Sequence, residues 1–178
     1  MKAWKLDLWI ALAALVVSGL TASAALYQSK VFSDQLSATV WPYLSFTTTA
    51  GPSTFTLTLE NDGAGPAIID SAQVFVDGKP LASMSSALRQ LAAKALRHGA
   101  FTYTTSSVGP GQVIRAGASA PVVNVNMRDL SILAGAYNRL TMNVYYCSLL
   151  NRCWVVKLHT TGHPADVTGQ SYPHTAIQ

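Results

Sequence analysis

From Leu8 to Ser29 the chain carries no charged residue and is built mainly from Leu, Ala and Val. A helix over that stretch would be roughly 30 Å long, the thickness of a bilayer's hydrocarbon core. Trp4, Trp9 and Tyr27 stand near its two ends, where amphipathic rings favour the membrane–water boundary. Beyond it Phe32, Leu36 and Val40 recur at four-residue spacing among Ser, Asp and Gln. That spacing extends the helix and lays an apolar stripe along it. Trp41-Pro42 ends the pattern, because proline disfavours helical geometry in the residue before it.

After Pro42 the period shortens to two. Tyr43 to Thr49 is rich in aromatic and β-branched residues, and Phe55 to Leu59 alternates apolar with polar, as a strand with one buried face requires. The run Glu60-Asn-Asp-Gly-Ala-Gly-Pro66 is a turn. Gly63 and Gly65 are expected there to take positive φ, and Pro66 to stop the ladder. Ala67 to Ile69 and Gln73 to Val76 read as one strand with a bulge near Asp70-Ser71, closed by an Asp77-Gly78 turn. Ser85 to Arg97 has helical spacing through Leu88, Leu91, Ala92, Ala95 and Leu96, with Ser83 or Ser85 as N-cap and Gly99 past its end. Its basic amphipathic face could lie on a membrane surface, but the expected role is a crossover helix capping one end of a β-sandwich. Further strands are expected at Ala100–Thr105, Gln112–Arg115, Pro121–Asn126, Leu140–Cys147 and Cys153–His159, with a short helix over Arg128–Tyr137.

The expected fold is therefore mainly β: an N-terminal transmembrane helix, then an immunoglobulin-like antiparallel β-sandwich with one or two inserted helices. The chain divides into an anchor over 1–29, a helical linker over 30–40, the sandwich over 41–160 and a flexible tail over 161–178. Lys2 and Lys5 precede the apolar run and favour a cytoplasmic N-terminus, with the domain in the periplasm of a bacterial inner membrane. Ala22-Ser23-Ala24 also fits a signal-peptidase site, and cleavage near Ala24 would release the same domain. The apolar run continues past it through Leu26 and Tyr27, which favours an anchor.

Composition narrows the function. Charged residues are 11% of the 178, far below the roughly 25% of an average soluble domain. The formal charge is +4, without clustered Lys or Arg, so no nucleic-acid partner is expected. Glu60 is the single glutamate, and a carboxylate-poor chain has few ways to pair a general acid with a general base.

Candidate chemistry is sparse. Cys147 and Cys153 face each other across the Ser148–Arg152 connection, where opposed strand positions come within bridging range, so a structural disulfide is expected in an oxidising compartment. His159 and His163 are four apart and His174 follows, but Gly162 and Pro164 break the helix that would aim two imidazoles at one metal. Solvated tail histidines are the expectation. The carboxylates of Glu60, Asp62, Asp70 and Asp77 match no calcium loop and read as surface turns. No metal, cofactor or catalytic residue is assigned.

Two motifs carry a resemblance. The turn Asn61-Asp-Gly63-Ala-Gly65-Pro66-Ala67 and the hairpin ends Tyr146-Cys147-Ser148 and Cys153-Trp154 follow a single span and a Trp41-Pro42 segment. That order resembles single-span bacterial envelope proteins with an Asn-x-Gly-x-Gly-Pro-Ala turn and a Tyr-Cys…Cys-Trp hairpin. The resemblance covers most of 1–160 and implies topology and fold, but no activity.

The expected function is a non-catalytic, membrane-anchored periplasmic adaptor, an accessory subunit docking on a membrane or envelope protein. Phe32, Leu36 and Val40 are its candidate partner contacts, and the bilayer is contacted by the anchor. The alternatives are a periplasmic ligand sensor with a pocket lined by the Ser85–Arg97 helix, or a metal-dependent enzyme using the C-terminal histidines.

Overall fold

The computed structural model describes residues 2–91, 93, 102–126, 135, 137–159 and 163–171, and the chain falls into two units, Met1–Thr39 and Val40–Gln178. The helix expected beyond Leu91 and the one expected over Arg128–Tyr137 lie almost wholly outside the described residues.

The first unit is one helix, α1, Lys2–Thr39. The expected linker is thus a continuation of the span, and the helix ends at Thr39, with Val40 and Trp41 between it and Pro42. From Asp7 onward α1 is long and apolar enough to cross a membrane. Ser18, Thr21 and Ser23 each donate to the carbonyl four residues earlier at 2.8 Å, so these three hydroxyl protons are paired within the helix.

The second unit is mainly β. Its elements are β1 (Leu44–Ala50), β2 (Thr54–Asn61), β3 (Ala67–Val76), β4 (Lys79–Leu81), α2 (Met84–Leu91), β5 (Thr102–Thr105), β6 (Val113–Ile114), β7 (Ser119–Asn126), β8 (Leu140–Cys147), β9 (Cys153–Lys157) and β10 (Ala165–Asp166). One sheet has the order β1-β2-β7-β5 and the other β10-β9-β8-β3-β4, with β6 also on β3. Every pairing is antiparallel.

Period-two patterning explains the strands. Leu57, Leu59 and Asn61 of β2, and Leu140, Met142, Val144 and Tyr146 of β8, are the buried alternates. Both sheets feed one core. In β3 strict alternation from Ala67 would turn Gln73 and Phe75 inward, while Ser71 is buried in either register. A register shift between Ile69 and Ser71 adds one residue, so Ala72, Val74 and Val76 face the core instead. Asp77 and Gly78, with φ of 50° and 75°, then form a tight hairpin into β4, a strand the sequence pattern did not mark.

Helix α2 lies on the crossover from β4 in one sheet to β5 in the other. Ser83 is its N-cap, its hydroxyl accepting from the Ser86 N–H at 3.1 Å. Met84, Ala87, Leu88 and Leu91 are its buried face. Within the segment read as a flexible tail, Ala165–Asp166 pair with β9, the Val167 N–H donates to the Cys153 carbonyl at 2.9 Å, and the Val167 side chain is buried.

Candidate interaction surfaces

The Asn61–Pro66 turn is a clasp on the incoming chain. Asn61 is buried, and its amide makes four hydrogen bonds. Nδ2 donates to the carbonyls of Gly65 and Ile114, both at 2.9 Å. Oδ1 accepts from the N–H groups of Tyr43 at 3.2 Å and Gly63 at 3.1 Å. The Trp41 carbonyl accepts from Ala64 and Gly65, and the Tyr43 carbonyl from Asp62. Trp41-Pro42 and the Asn-x-Gly-x-Gly-Pro turn, far apart in sequence, are therefore one structural unit.

This corrects the role of the glycines. Neither Gly63 nor Gly65 is among the positive-φ residues. They are required by proximity: a Cβ on Gly65 would lie 2.0 Å from the Val40 carbonyl oxygen, and one on Gly63 2.3 Å from the Tyr43 nitrogen. Pro66, with no N–H to donate, stands where the chain passes from β2 to β3 and the two strands take different sheets.

Beside the clasp lies an aromatic group. The Trp41 ring is 5.7 Å from Tyr43 and 6.5 Å from Trp154, Trp154 is 5.9 Å from Tyr146, and Tyr43 meets His163 edge-on at 5.8 Å. Tyr146 is fully buried, and its hydroxyl accepts from the buried Leu44 N–H at 3.2 Å. Burial pushes the phenol's pKa well above the usual tyrosine range. The folded state therefore holds this proton more tightly than the unfolded chain, and stability should fall as pH rises past about 10. Tyr146→Phe is expected to soften that alkaline loss while costing about 1–2 kcal/mol at neutral pH for the stranded N–H. Urea midpoints of the two proteins at neutral and alkaline pH check both parts.

Cys147 and Cys153 are bonded, as the sequence suggested. They are directly opposed on β8 and β9 with Cα atoms 4.0 Å apart, and the Cys153 N–H and carbonyl point away from β8 toward Thr168 and Val167. Such a non-hydrogen-bonded pair brings side chains closest across a ladder. Ser148 organises the connection: its hydroxyl accepts from Leu150 and Arg152, and Asn151 takes φ 56°. Converting both cysteines to serine should cost about 2 kcal/mol for so short a loop, read as a lower thermal midpoint with the fold kept.

That connection also exposes two leucines that the sequence reading passed over. Leu149 is 61% and Leu150 47% exposed. The available signal was an apolar pair inside a five-residue loop between two cysteines. Trp41, 39% exposed, belongs to the aromatic group just described.

The expected partner contacts divide. Phe32 and Leu36 stand on α1, 62% and 45% exposed. Val40 does not continue their stripe. It lies in the turn after the helix, in the second unit, with its carbonyl facing Gly65. Proline at position 42 ends the helix too early for a third residue at that spacing.

The histidines do not converge. His159 is exposed but held: Nε2 lies 3.0 Å from the carbonyls of Tyr137 and Leu140, and the ring packs on Tyr137 at 4.3 Å. His163 instead meets Tyr43, and His174 lies outside the described residues. Glu60 accepts from Thr47, Asp62 from Ser45, and Asp77 pairs with Arg139, whose hydrogen bonds hold its carboxyl below the usual range. Among the described residues no three His, Cys, Asp or Glu side chains gather as metal ligands. Leu88 and Leu91 of α2 do line an apolar recess with Phe55, Val125, Tyr137 and Leu140, but at about 20 Å³ it has room for a water rather than a metabolite. No family model, curated protein or solved structure matches the chain.

Proposed function

We propose that the chain is a membrane-anchored, extracytoplasmic interaction module, an adaptor or accessory subunit that works by docking rather than by catalysis. The carrying observation is the exposure of Phe32 and Leu36 on α1 beyond the end of its uncharged stretch. Large apolar side chains outside the hydrocarbon are costly unless a partner covers them. The exposed Leu149-Leu150 tip adds a second contact on the domain itself.

The domain we read as an immunoglobulin-like sandwich. Support lies in the order β1-β2-β7-β5 against β9-β8-β3-β4, which follows the A-B-E-D and G-F-C-C′ order of that fold. Lys2 and Lys5 before the span support a cytoplasmic N-terminus, and the Cys147–Cys153 bond supports an oxidising compartment, the periplasm of a bacterial inner membrane.

The test is purification of the C-terminally tagged full chain from gently solubilised membranes, with the bait's intact mass read alongside. A stoichiometric partner that is lost on Phe32→Ser with Leu36→Ser, on a bait that retains its span, is the expected result. A bait cleaved near Ala24 and free of partners would overturn it.

A further inference from the structure

The sheet β1-β2-β7-β5 ends on one side in β1, and the ladder fixes which way its backbone points. The Tyr43 carbonyl accepts from the Asp62 N–H, and the Gly51 N–H donates to the Thr54 carbonyl, both at 2.8 Å. Antiparallel strands bond through alternate residues, so Ser45, Thr47 and Thr49 face β2. Leu44, Phe46, Thr48 and Ala50 therefore turn their N–H and C=O groups outward. The Tyr146 hydroxyl takes up the Leu44 N–H. The outward groups of Phe46, Thr48 and Ala50 meet no hydrogen-bond partner among the described residues, and Thr48 to Ala50 are exposed. The other outer strands are short: β4 has three residues and carries Lys79 and Pro80, β5 has four and β10 two. β1 has seven, uncharged and without proline.

These groups say what covers the edge. Donors and acceptors repeating at every second residue are matched by extended backbone, and by neither a helix, whose own groups are used internally, nor lipid tails. The free stretch is also its own complement. It offers three N–H and three C=O groups centred on Thr48. The Tyr146 hydroxyl closes one end, and the turn through Gly51 and Pro52, which has no N–H, closes the other. A second β1 laid antiparallel with Thr48 opposite Thr48 brings Phe46 opposite Ala50 and Thr47 opposite Thr49. Every free group then meets a partner, and both strands end together. The side chains agree: threonine lies against threonine at the centre and beside it, and the large Phe46 lies against the small Ala50. A strand of another protein would have to reproduce this length and this sequence of sizes, whereas a second copy carries both.

We propose that β1 pairs antiparallel with β1 of a second copy, joining two four-stranded sheets into one. The interface uses none of the α1 contacts of the docking reading above and stands or falls separately from it. Added cysteines test its register in the full chain in native membranes, because Cys147 and Cys153 are bonded to each other and each variant then carries one free thiol. Thr47 and Thr49 of the two copies would form a non-hydrogen-bonded pair, where side chains come closest. Co-expressed Thr47→Cys and Thr49→Cys chains with different tags should therefore give mixed disulfide dimer under mild oxidation at least ~5-fold above either like-with-like dimer. Ala50→Pro in both chains removes an outward N–H and leaves the ladder to β2 intact. It should lower the mixed dimer at least ~5-fold with the domain still folded, as read by its denaturant midpoint. Should the proline unfold the domain, the ratio of mixed to like-with-like dimers still decides. Equal yields of the two would mean random collision and overturn the pairing, as would the absence of any dimer. Linkage of these thiols to a different protein would overturn self-pairing, and a mixed-dimer yield untouched by a folded Ala50→Pro would overturn pairing through the backbone.

Discussion

Gly65→Ala is expected to cost the folded domain about 3 kcal/mol or more, because the new methyl meets backbone rather than a side chain that can swing aside. Its Cβ would stand 2.0 Å from the Val40 carbonyl oxygen and 2.4 Å from the carbonyl carbon, where real Cβ contacts are not found. Relief requires the turn and the Val40–Tyr43 segment to part. Parting them stretches the bonds from Ala64 and Gly65 to the Trp41 carbonyl and disturbs the entry of β1, whose first residue, Leu44, is a fully buried core side chain. Gly63→Ala should behave alike, its Cβ lying 2.5 Å from the Trp41 carbonyl oxygen. Gly111→Ala is the matched comparison: no atom lies within 4 Å of its Cβ, but its φ of 83° strains an alanine by about 1 kcal/mol. Denaturant midpoints of the full chain in detergent, followed by tryptophan fluorescence, should rank Gly65 and Gly63 clearly worse than Gly111. If Gly65→Ala is no worse than Gly111→Ala, the close approach does not hold the turn.

How much of this was legible beforehand follows from the range of each interaction. The strands of β2 and β8 could be read because alternation is local, and the β3 bulge because Asp70-Ser71 interrupts an otherwise apolar run. The glycines of the turn were noticed for the wrong reason. A positive φ is a property of one residue, whereas the reason here is a segment more than twenty positions away, which only the folded chain brings to 2.0 Å. Val40 failed in the same way: four-residue spacing made it a helix-face residue, and the break before Pro42 made it part of the clasp instead. Strand β10 left no signal, since Ala165 and Asp166 have little strand preference and are placed by pairing with the buried Val155 and Trp154 of β9. The exposed leucines at the hairpin tip were visible as letters, but their exposure depends on which face Ser148 and Asn151 turn outward.

Asn61 allows the clasp to be examined by chemistry as well as by size. Asn61→Ala removes two donors and two acceptor positions at once and strands the carbonyls of Gly65 and Ile114 and the N–H groups of Tyr43 and Gly63. Partial rescue by water limits the sum, and the expected cost is about 3–5 kcal/mol, on the order of 10–15 °C in thermal midpoint for a domain of this size. Asn61→Asp keeps the shape and both N–H acceptances, but its second oxygen would face two carbonyls at the 2.9 Å now spanned by the amide nitrogen. When ionised it repels both, and when protonated it can donate to one. The folded-state pKa of the new carboxyl should therefore rise above the unfolded value near ~4. With more protons bound folded than unfolded, stability must decline as pH increases above ~4, the reverse of the usual carboxylate. Asn61→Asp should accordingly sit close to the parent at pH about 4 and approach the alanine variant by pH about 7, whereas Asn61→Ala should show no such added pH dependence. An aspartate variant whose deficit is the same at both pH values would mean that the two donated bonds, and with them the link from β2 to the Gly65 and Ile114 carbonyls, are not what holds the clasp closed.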